Sequence, residues 1–394
     1  MTTNNRWLLP EGIDEVLPPM AAELDRVCRR ILDLYASFGY ELVIPPLLEY
    51  LESLLTGTGE DLELQTFKLT DQLSGRTLGV RADSTPQVVR IDVHNLKQRC
   101  PTRLCYLGPV LHTRPTGRGG ARELLQTGAE LYGSSARESE AEIIVLMLKT
   151  LECAGLKDIH IDLGHVGIYR GITGTLGLAK TQEQILFDIL QRKAIAELRE
   201  IIKQWAIPDA AGKALLAVVE LNGDSAVLES AHRVLAKQGD QVLRSIEELR
   251  QTALLVNNRH PNAPIYFDLA ELRGYHYYTG ISFAAYIPGL GQGIAFGGRY
   301  DDIGKAFGTA RPAIGFSADI RALFSLAARS PQPARGIYAP VSEDPECRRM
   351  IDNLREANER VICALPDEAG SAVDHGCDRI LVREQGVWKV CKLD

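Results

Sequence analysis

The sequence predicts an α+β fold in which a sheet is interrupted by a helical insertion and followed by a small C-terminal α/β unit. Three observations predict it. Strand-like segments bounded by glycine and proline lie on both sides of a long stretch, about Thr173 to Asn258, that is rich in Ala, Leu, Glu, Lys and Gln and almost free of aromatic residues. Strand patterning resumes after that stretch. Ser330-Pro331-Gln332-Pro333-Ala334 then reads as a linker, since proline restricts the chain and blocks helix continuation. With 394 residues the chain exceeds one ordinary core, and the domains are placed at 1–329, with the insertion at about 173–258, and at 330–394.

In chain order, Pro19 to Phe38 reads as an amphipathic helix, with Leu24, Val27, Cys28, Ile31, Leu34 and Tyr35 at three- and four-residue spacing and Gly39 as its stop. Tyr40–Pro46 reads as a strand ended by two prolines. Short strands are expected at Thr77–Arg81, Leu104–Leu111, Leu125–Tyr132 and His160–Leu163, with a helix from Ala136 to Ala154 capped by Ser135. Beyond the insertion come strands at Ile265–Leu269, Tyr277–Tyr286 and Gly293–Phe296 and a helix at Ala318–Ala328. The last unit reads as strand Gly336–Pro340, helix Pro345–Asn358, strand Val361–Leu365, and strands near Ile380–Arg383 and Val387–Cys391.

Lys plus Arg total 44 against 51 Asp plus Glu, a formal charge of −7 that leaves no chain-wide footprint for nucleic acid. The unit after the linker carries nine basic and twelve acidic side chains, which argues against phosphate tracking there as well. No run reaches the roughly 18 apolar residues of a membrane span, and Met1–Asn5 lacks a basic region leading into an apolar one, so a cytoplasmic protein is expected. Eight scattered cysteines without a Cys-x-x-Cys pair suit reduced structural thiols, and no metal site is expected.

Four strings carry chemistry. Arg273-Gly274-Tyr275-His276-Tyr277-Tyr278-Thr279-Gly280 suits a polar ligand pocket, since arginine matches a carboxylate and tyrosine joins an apolar wall to a hydroxyl; it equally suits an aromatic hairpin packed on a helix. Gly297-Gly298-Arg299-Tyr300-Asp301-Asp302 lets backbone approach a ligand, or is simply a tight turn, and lacks nucleotide-loop spacing. Arg114, Arg118 and Arg122 lie in a glycine-rich loop that either clamps an anion or is solvated. Arg81-Ala82-Asp83-Ser84-Thr85-Pro86 offers a carboxylate for an ammonium group, or a helix cap.

Together with Leu9–Gly12, Phe38–Glu41, Leu125–Glu130 and Pro312–Phe316, these strings resemble the histidyl-tRNA synthetases, a class II synthetase family, over about the first 330 residues. The resemblance implies a class II aminoacyl-tRNA synthetase-like six-stranded antiparallel sheet with flanking helices, and a dimer through the N-terminal motif. It also implies a histidine site, with Asp83 and Thr85 near the amino group, Gln126 and Arg273 near the carboxylate, and Glu130, Tyr277 and Tyr278 near the imidazole. The family usually has Glu at the position of Asp83 and Asp at that of His276.

The ATP side departs further. Leu111-His112-Thr113-Arg114 stands where the synthetases carry Phe-Arg-x-Glu, so His112 replaces the α-phosphate arginine, and Ile320 is followed by Arg321-Ala322 instead of Glu-Arg. Each such donor supports about 100- to 1000-fold of rate. Arg-Ala-Asp-x-Thr-Pro-Gln at Arg81–Gln87 and Gly-Pro-Val-Leu at Gly108–Leu111 are similar to a paralogue family, the regulatory subunits of short-form ATP phosphoribosyltransferase. That resemblance implies a non-catalytic subunit acting at the first step of L-histidine biosynthesis. It implies no cofactor, L-histidine as allosteric feedback ligand, and a hetero-octamer with the catalytic subunit. A divergent histidine-activating enzyme and a tRNA-sensing module stand as alternatives.

Overall fold

A computed structural model of the protein describes residues 7–57, 60–115, 120–274, 277–327, 335–367 and 370–393. The chain divides into two compact units, Met1–Val16 with Leu24–Ala328 and Leu17–Glu23 with Arg329–Asp394.

The larger unit is organised by a nine-stranded sheet in the order Glu41–Leu42, Thr102–Leu111, Glu123–Tyr132, Ala313–Asp319, Ala295–Arg299, Ile281–Tyr286, His160–His165, Ile265–Asp268, Asn222–Gly223. The six strands from Thr102–Leu111 to His160–His165 are consecutively antiparallel, as expected for a class II synthetase-like sheet. Glu41–Leu42 and Ile265–Asp268 join it in parallel. One face is filled by the helix Arg137–Cys153, whose run Ile143–Leu148 is buried on every side, the mark of a core helix rather than a surface one. The helix Met20–Ser37 buries the predicted stripe through Leu24, Val27, Cys28, Ile31 and Tyr35.

Several predicted boundaries are corrected. The strand after Gly39 is regular only at Glu41–Leu42, with Pro45 and Pro46 close behind. Ser135 does not cap its helix; the N-cap is Ala136, whose N–H donates to Ser134 Oγ at 3.3 Å. The expected strand Tyr277–Tyr286 begins only at Ile281, because Tyr277 and Tyr278 both donate to the Gly274 carbonyl, at 2.8 and 2.7 Å, and form a turn. The following strand runs Ala295–Arg299, and the helix expected from Ala318 starts at Ile320, where the Asp319 carboxylate accepts from the Arg321 N–H at 3.1 Å. Thr77–Val80 lies at the centre of a separate three-stranded sheet, between Leu48–Tyr50 and Lys68–Thr70. The predicted linker 330–334 lies outside the described residues.

The insertion holds the helices Lys180–Gln191, Ile195–Gln204, Asp209–Glu220, Ala226–Val234 and Asp240–Arg259. The last packs against both Arg137–Cys153 and Val166–Thr173. In the smaller unit, Val361–Cys363, Ile337–Ala339 and Arg379–Glu384 are parallel neighbours, and Val387–Lys392 adds an antiparallel edge. Ile337, Ala339, Cys347, Ile351, Val361 and Leu381 form its core. Asp344 accepts from the Glu346 N–H at 2.9 Å to cap the helix Pro345–Glu356, and from Trp388 Nε1 at 2.8 Å.

Candidate ligand pocket

Gln126 and Glu130 stand four residues apart on Glu123–Tyr132, so the two-residue period of a strand turns both to one face. Opposite them, the chain leaves Thr77–Val80 through Arg81, a buried guanidinium that donates to the carbonyls of Pro45 at 3.0 Å and Pro109 at 2.7 and 3.1 Å. That anchorage aims Asp83-Ser84-Thr85 at the strand. Asp83 accepts from Gln126 Nε2 at 2.8 Å, and Gln126 in turn accepts from the Ser84 N–H at 2.9 Å. Thr85, at the start of the helix Thr85–Arg90, donates to Glu130 at 3.0 Å.

Glu130 is the innermost polar group. It accepts from Thr85, from Tyr106 at 3.3 Å and from Tyr300, and burial pushes its carboxyl up to about 8. Burial first, and the Glu130 charge second, hold the phenols of Tyr106, Tyr277 and Tyr300 well above their ordinary value. A Cβ on Gly315 would lie 1.5 Å from Glu130 Oε2, and one on Gly298 would lie 2.8 Å from the Tyr278 ring, so both glycines make room for the pocket's side chains. Tyr277 lies 4.9 Å from Tyr300 and 5.5 Å from Tyr278, ring centre to ring centre. Its hydroxyl is buried without a hydrogen-bond partner among the described residues. An orphaned buried hydroxyl beside a carboxylate suits a polar ligand that completes the set.

Arg273 stands further out, with its guanidinium 4.6 Å above the Phe296 ring and 3.8 Å from Glu271. Phe296 also lines an adjoining cleft of about 340 Å³, together with Asp83, Gln126, His112, Asp319 and Ala322. Among the described residues lining this cleft there is no lysine or arginine. His112 Nε2 sits 2.9 Å from the Ala82 carbonyl, which makes it the donor, and Nδ1 is buried without a partner among the described residues.

The predicted site residues therefore form an inner group of Thr85, Glu130, Tyr277 and Tyr278, an Asp83–Gln126 pair beside it, and Arg273 at the rim. The arginine loop is not gathered with them. Arg122 donates to the carbonyls of His112 at 3.2 Å and Glu11 at 3.4 Å, Arg114 is exposed, and Arg118, like His276, lies outside the described residues. Sequence reasoning missed Tyr106 and Tyr300 as pocket residues. Tyr300 was within reach, since it follows the glycine pair flagged as a ligand turn; Tyr106 carried no signal beyond an aromatic residue in a strand.

The histidyl-tRNA synthetase family description matches residues 12–323, and that of the ATP phosphoribosyltransferase subunit HisZ C-terminal domain matches residues 334–391. The chain is 53% identical to an ATP phosphoribosyltransferase regulatory subunit of Thioalkalivibrio sulfidiphilus, over 100% of both chains. It belongs to the ATP phosphoribosyltransferase regulatory subunit family. A second member, from Alkalilimnicola ehrlichii, is 50% identical over 97% of this chain and 96% of its own. Membership makes this a regulatory chain of histidine biosynthesis. A Bacillus halodurans structure described as an ATP phosphoribosyltransferase regulatory subunit/histidyl-tRNA synthetase superposes with a TM-score of 0.84 at 25% identity, covering 96% of this chain and 99% of that one. A Nostoc histidyl-tRNA synthetase shares the fold, with a TM-score of 0.78 at 20% identity over 96% of this chain and 91% of its own.

Proposed function

We propose that this regulatory subunit has no catalysis of its own, that it binds free L-histidine in the pocket around Glu130, and that it activates a separate catalytic ATP phosphoribosyltransferase chain while transmitting feedback inhibition. The observation that carries the reading is the contrast between two adjoining groups of residues. One is a closed set of hydroxyls around a buried carboxylate, with the Tyr277 hydroxyl still unpartnered among the described residues. The other is the cleft walled by Asp83, His112, Asp319 and Ala322, which presents carboxylates and no lining cation among the described residues.

A triphosphate needs positive charge where its own charge develops in an adenylation transition state. An amino acid needs a carboxylate for its ammonium group, a guanidinium for its carboxylate and hydroxyls or a carboxyl for its ring. The side chains around Glu130, with Arg273 at the rim, support that assignment by their chemistry: Asp83 and Thr85 for the amino group, Gln126 and Arg273 for the carboxylate, and Glu130, Tyr277 and Tyr278 for the imidazole. No cofactor enters this scheme.

Self-association as a dimer within a hetero-octamer completes the proposal. Supporting it is an apolar band that the larger unit leaves open, with Ile44 82% exposed and Leu42, Leu47, Leu48 and Leu69 beside it in sequence or sheet. A cytoplasmic setting agrees with the finding that no described helix is long and apolar enough to cross a membrane. The test is to assay the catalytic chain alone, then with this chain, then with this chain and L-histidine. Activation on addition and inhibition by histidine only in the mixture are the expected results; full activity and full histidine inhibition of the catalytic chain alone contradict the reading.

A further inference from the structure

Arg299 ends the strand Ala295–Arg299, and its side chain is directed away from the pocket into a buried polar network. Its Nε donates to Glu140 Oε1 at 2.8 Å, and its two terminal nitrogens donate to the Ser134 carbonyl at 3.1 Å, Asp301 at 3.2 Å and Ser139 Oγ at 3.3 Å. Glu140 is fully buried, and its second oxygen accepts from Thr252 Oγ1 at 2.6 Å. Thr252 lies on Asp240–Arg259, the last helix of the insertion. The same helix supplies Glu248, paired with Arg137 at 2.5 Å and with His165 Nε2 at 2.9 Å, while Arg137 returns to Glu140 at 2.6 Å.

The main chain of Arg299 faces the pocket loop. Its carbonyl accepts from the Thr279 N–H at 2.7 Å, and the Thr279 hydroxyl accepts from the Asp301 N–H at 3.0 Å. The loop carrying Tyr277 and Tyr278 is thus fastened to Arg299, and the next residue, Tyr300, reaches Glu130. A second tie runs through Val166–Thr173, where Arg170 donates to the Tyr278 carbonyl at 2.8 Å from a helix packed on Asp240–Arg259.

We propose that Arg299 is a positioning residue that couples occupancy of the pocket to the helical insertion, an inference that rests on reading the pocket as a histidine site. A bound ligand engages the free Tyr277 hydroxyl and fixes Tyr277–Thr279 on the Arg299 main chain; the Arg299 guanidinium then holds Glu140 against Thr252. Coupling of this kind is reciprocal, so loosening the hold on Thr252 weakens ligand binding by the same factor, commonly about 5- to 150-fold.

The test uses the full chain, L-histidine calorimetry and hydrogen–deuterium exchange. With histidine, exchange slows across 240–259 as well as at 277–280. Thr252→Val removes the hydroxyl that Glu140 accepts from and weakens histidine binding at least about fivefold; Thr252→Ser keeps the hydroxyl and restores it. A purely structural role lowers the melting temperature of Thr252→Val and leaves the affinity of the folded chain alone. Unchanged affinity in that variant, with unchanged exchange over 240–259 in the unaltered chain, overturns the coupling alone. Failure of the unaltered chain to bind histidine overturns the pocket reading and the coupling together.

Discussion

Gly315 and Glu130 face each other across neighbouring strands so closely that a Cβ on Gly315 would fall 1.5 Å from Glu130 Oε2 and 2.8 Å from the Ala129 carbonyl. The missing side chain is what lets the Glu130 carboxyl lie buried against the neighbouring strand.

Gly315→Ala is therefore expected to push Glu130 out of its place. Overpacking of this kind costs about 1–3 kcal/mol, and the displaced carboxylate loses its hydroxyl partners as well. Urea unfolding of the variant checks the stability, and histidine titration checks the pocket; an unchanged midpoint contradicts the tight approach.

Glu130 also gives the stability of the chain a pH dependence with a definite sign. Burial raises its folded value to about 8 from an ordinary 4.5. The folded state thus keeps a proton that the unfolded state loses, and stability falls as pH rises from about 4.5 to about 8, with a slope of at most about 1.4 kcal/mol per pH unit from this group. The groups facing it are Asp83, Tyr106, Tyr132, Tyr277, Tyr300 and Thr85, of which Asp83 adds to the rise and the hydroxyls of Thr85, Tyr106 and Tyr300 oppose it. Glu130→Gln removes the slope, so its melting temperature relative to the unaltered chain climbs between pH 5 and pH 8. A constant difference across that range contradicts the assignment.

Breaking the Arg299–Glu140 pair takes from a fully buried carboxylate one of its two arginine partners, leaving it Arg137 and the Thr252 hydroxyl. Arg299→Ala is expected to lose about 3–5 kcal/mol, measured by chemical denaturation. A loss under about 1 kcal/mol, the range of an exposed pair, contradicts the burial of the network.

Five of the six antiparallel strands and the insertion were legible locally, in alternation or in a change of composition, whereas Ala313–Asp319 gave no strand signal and the six-stranded arrangement and the site residues were implied only by the family resemblance of strings such as Arg273–Gly280. What was not legible joins residues far apart. Thr252 meets Glu140 from 112 positions away and Arg299 meets it from 159, and the identities of those residues do not reveal such a pairing in one sequence. The turn at Gly274 was hidden for a different reason, since a run of tyrosines favours a strand until its N–H groups find a nearer carbonyl. Ser135 was a plausible cap, but the helix begins one residue later, at the scale where helix ends are least certain.

The absence of lysine and arginine among the described residues lining the cleft predicts that histidine-dependent exchange of pyrophosphate into ATP stays at background. Restoring a single arginine by His112→Arg is not expected to revive it, because Ala322 leaves the second position empty of charge. Exchange clearly above background in the unaltered chain returns the protein to the amino-acid-activating enzymes.

Calorimetric titration of the purified chain with L-histidine and, separately, with ATP decides whether the residues around Glu130 hold histidine while the adjoining cleft, without a lining lysine or arginine among the described residues, holds no nucleotide. Saturable histidine binding that Arg273→Ala abolishes, and no heat of binding with ATP, are the expected results. Tight ATP binding, or histidine binding indifferent to Arg273, contradicts the proposed histidine site.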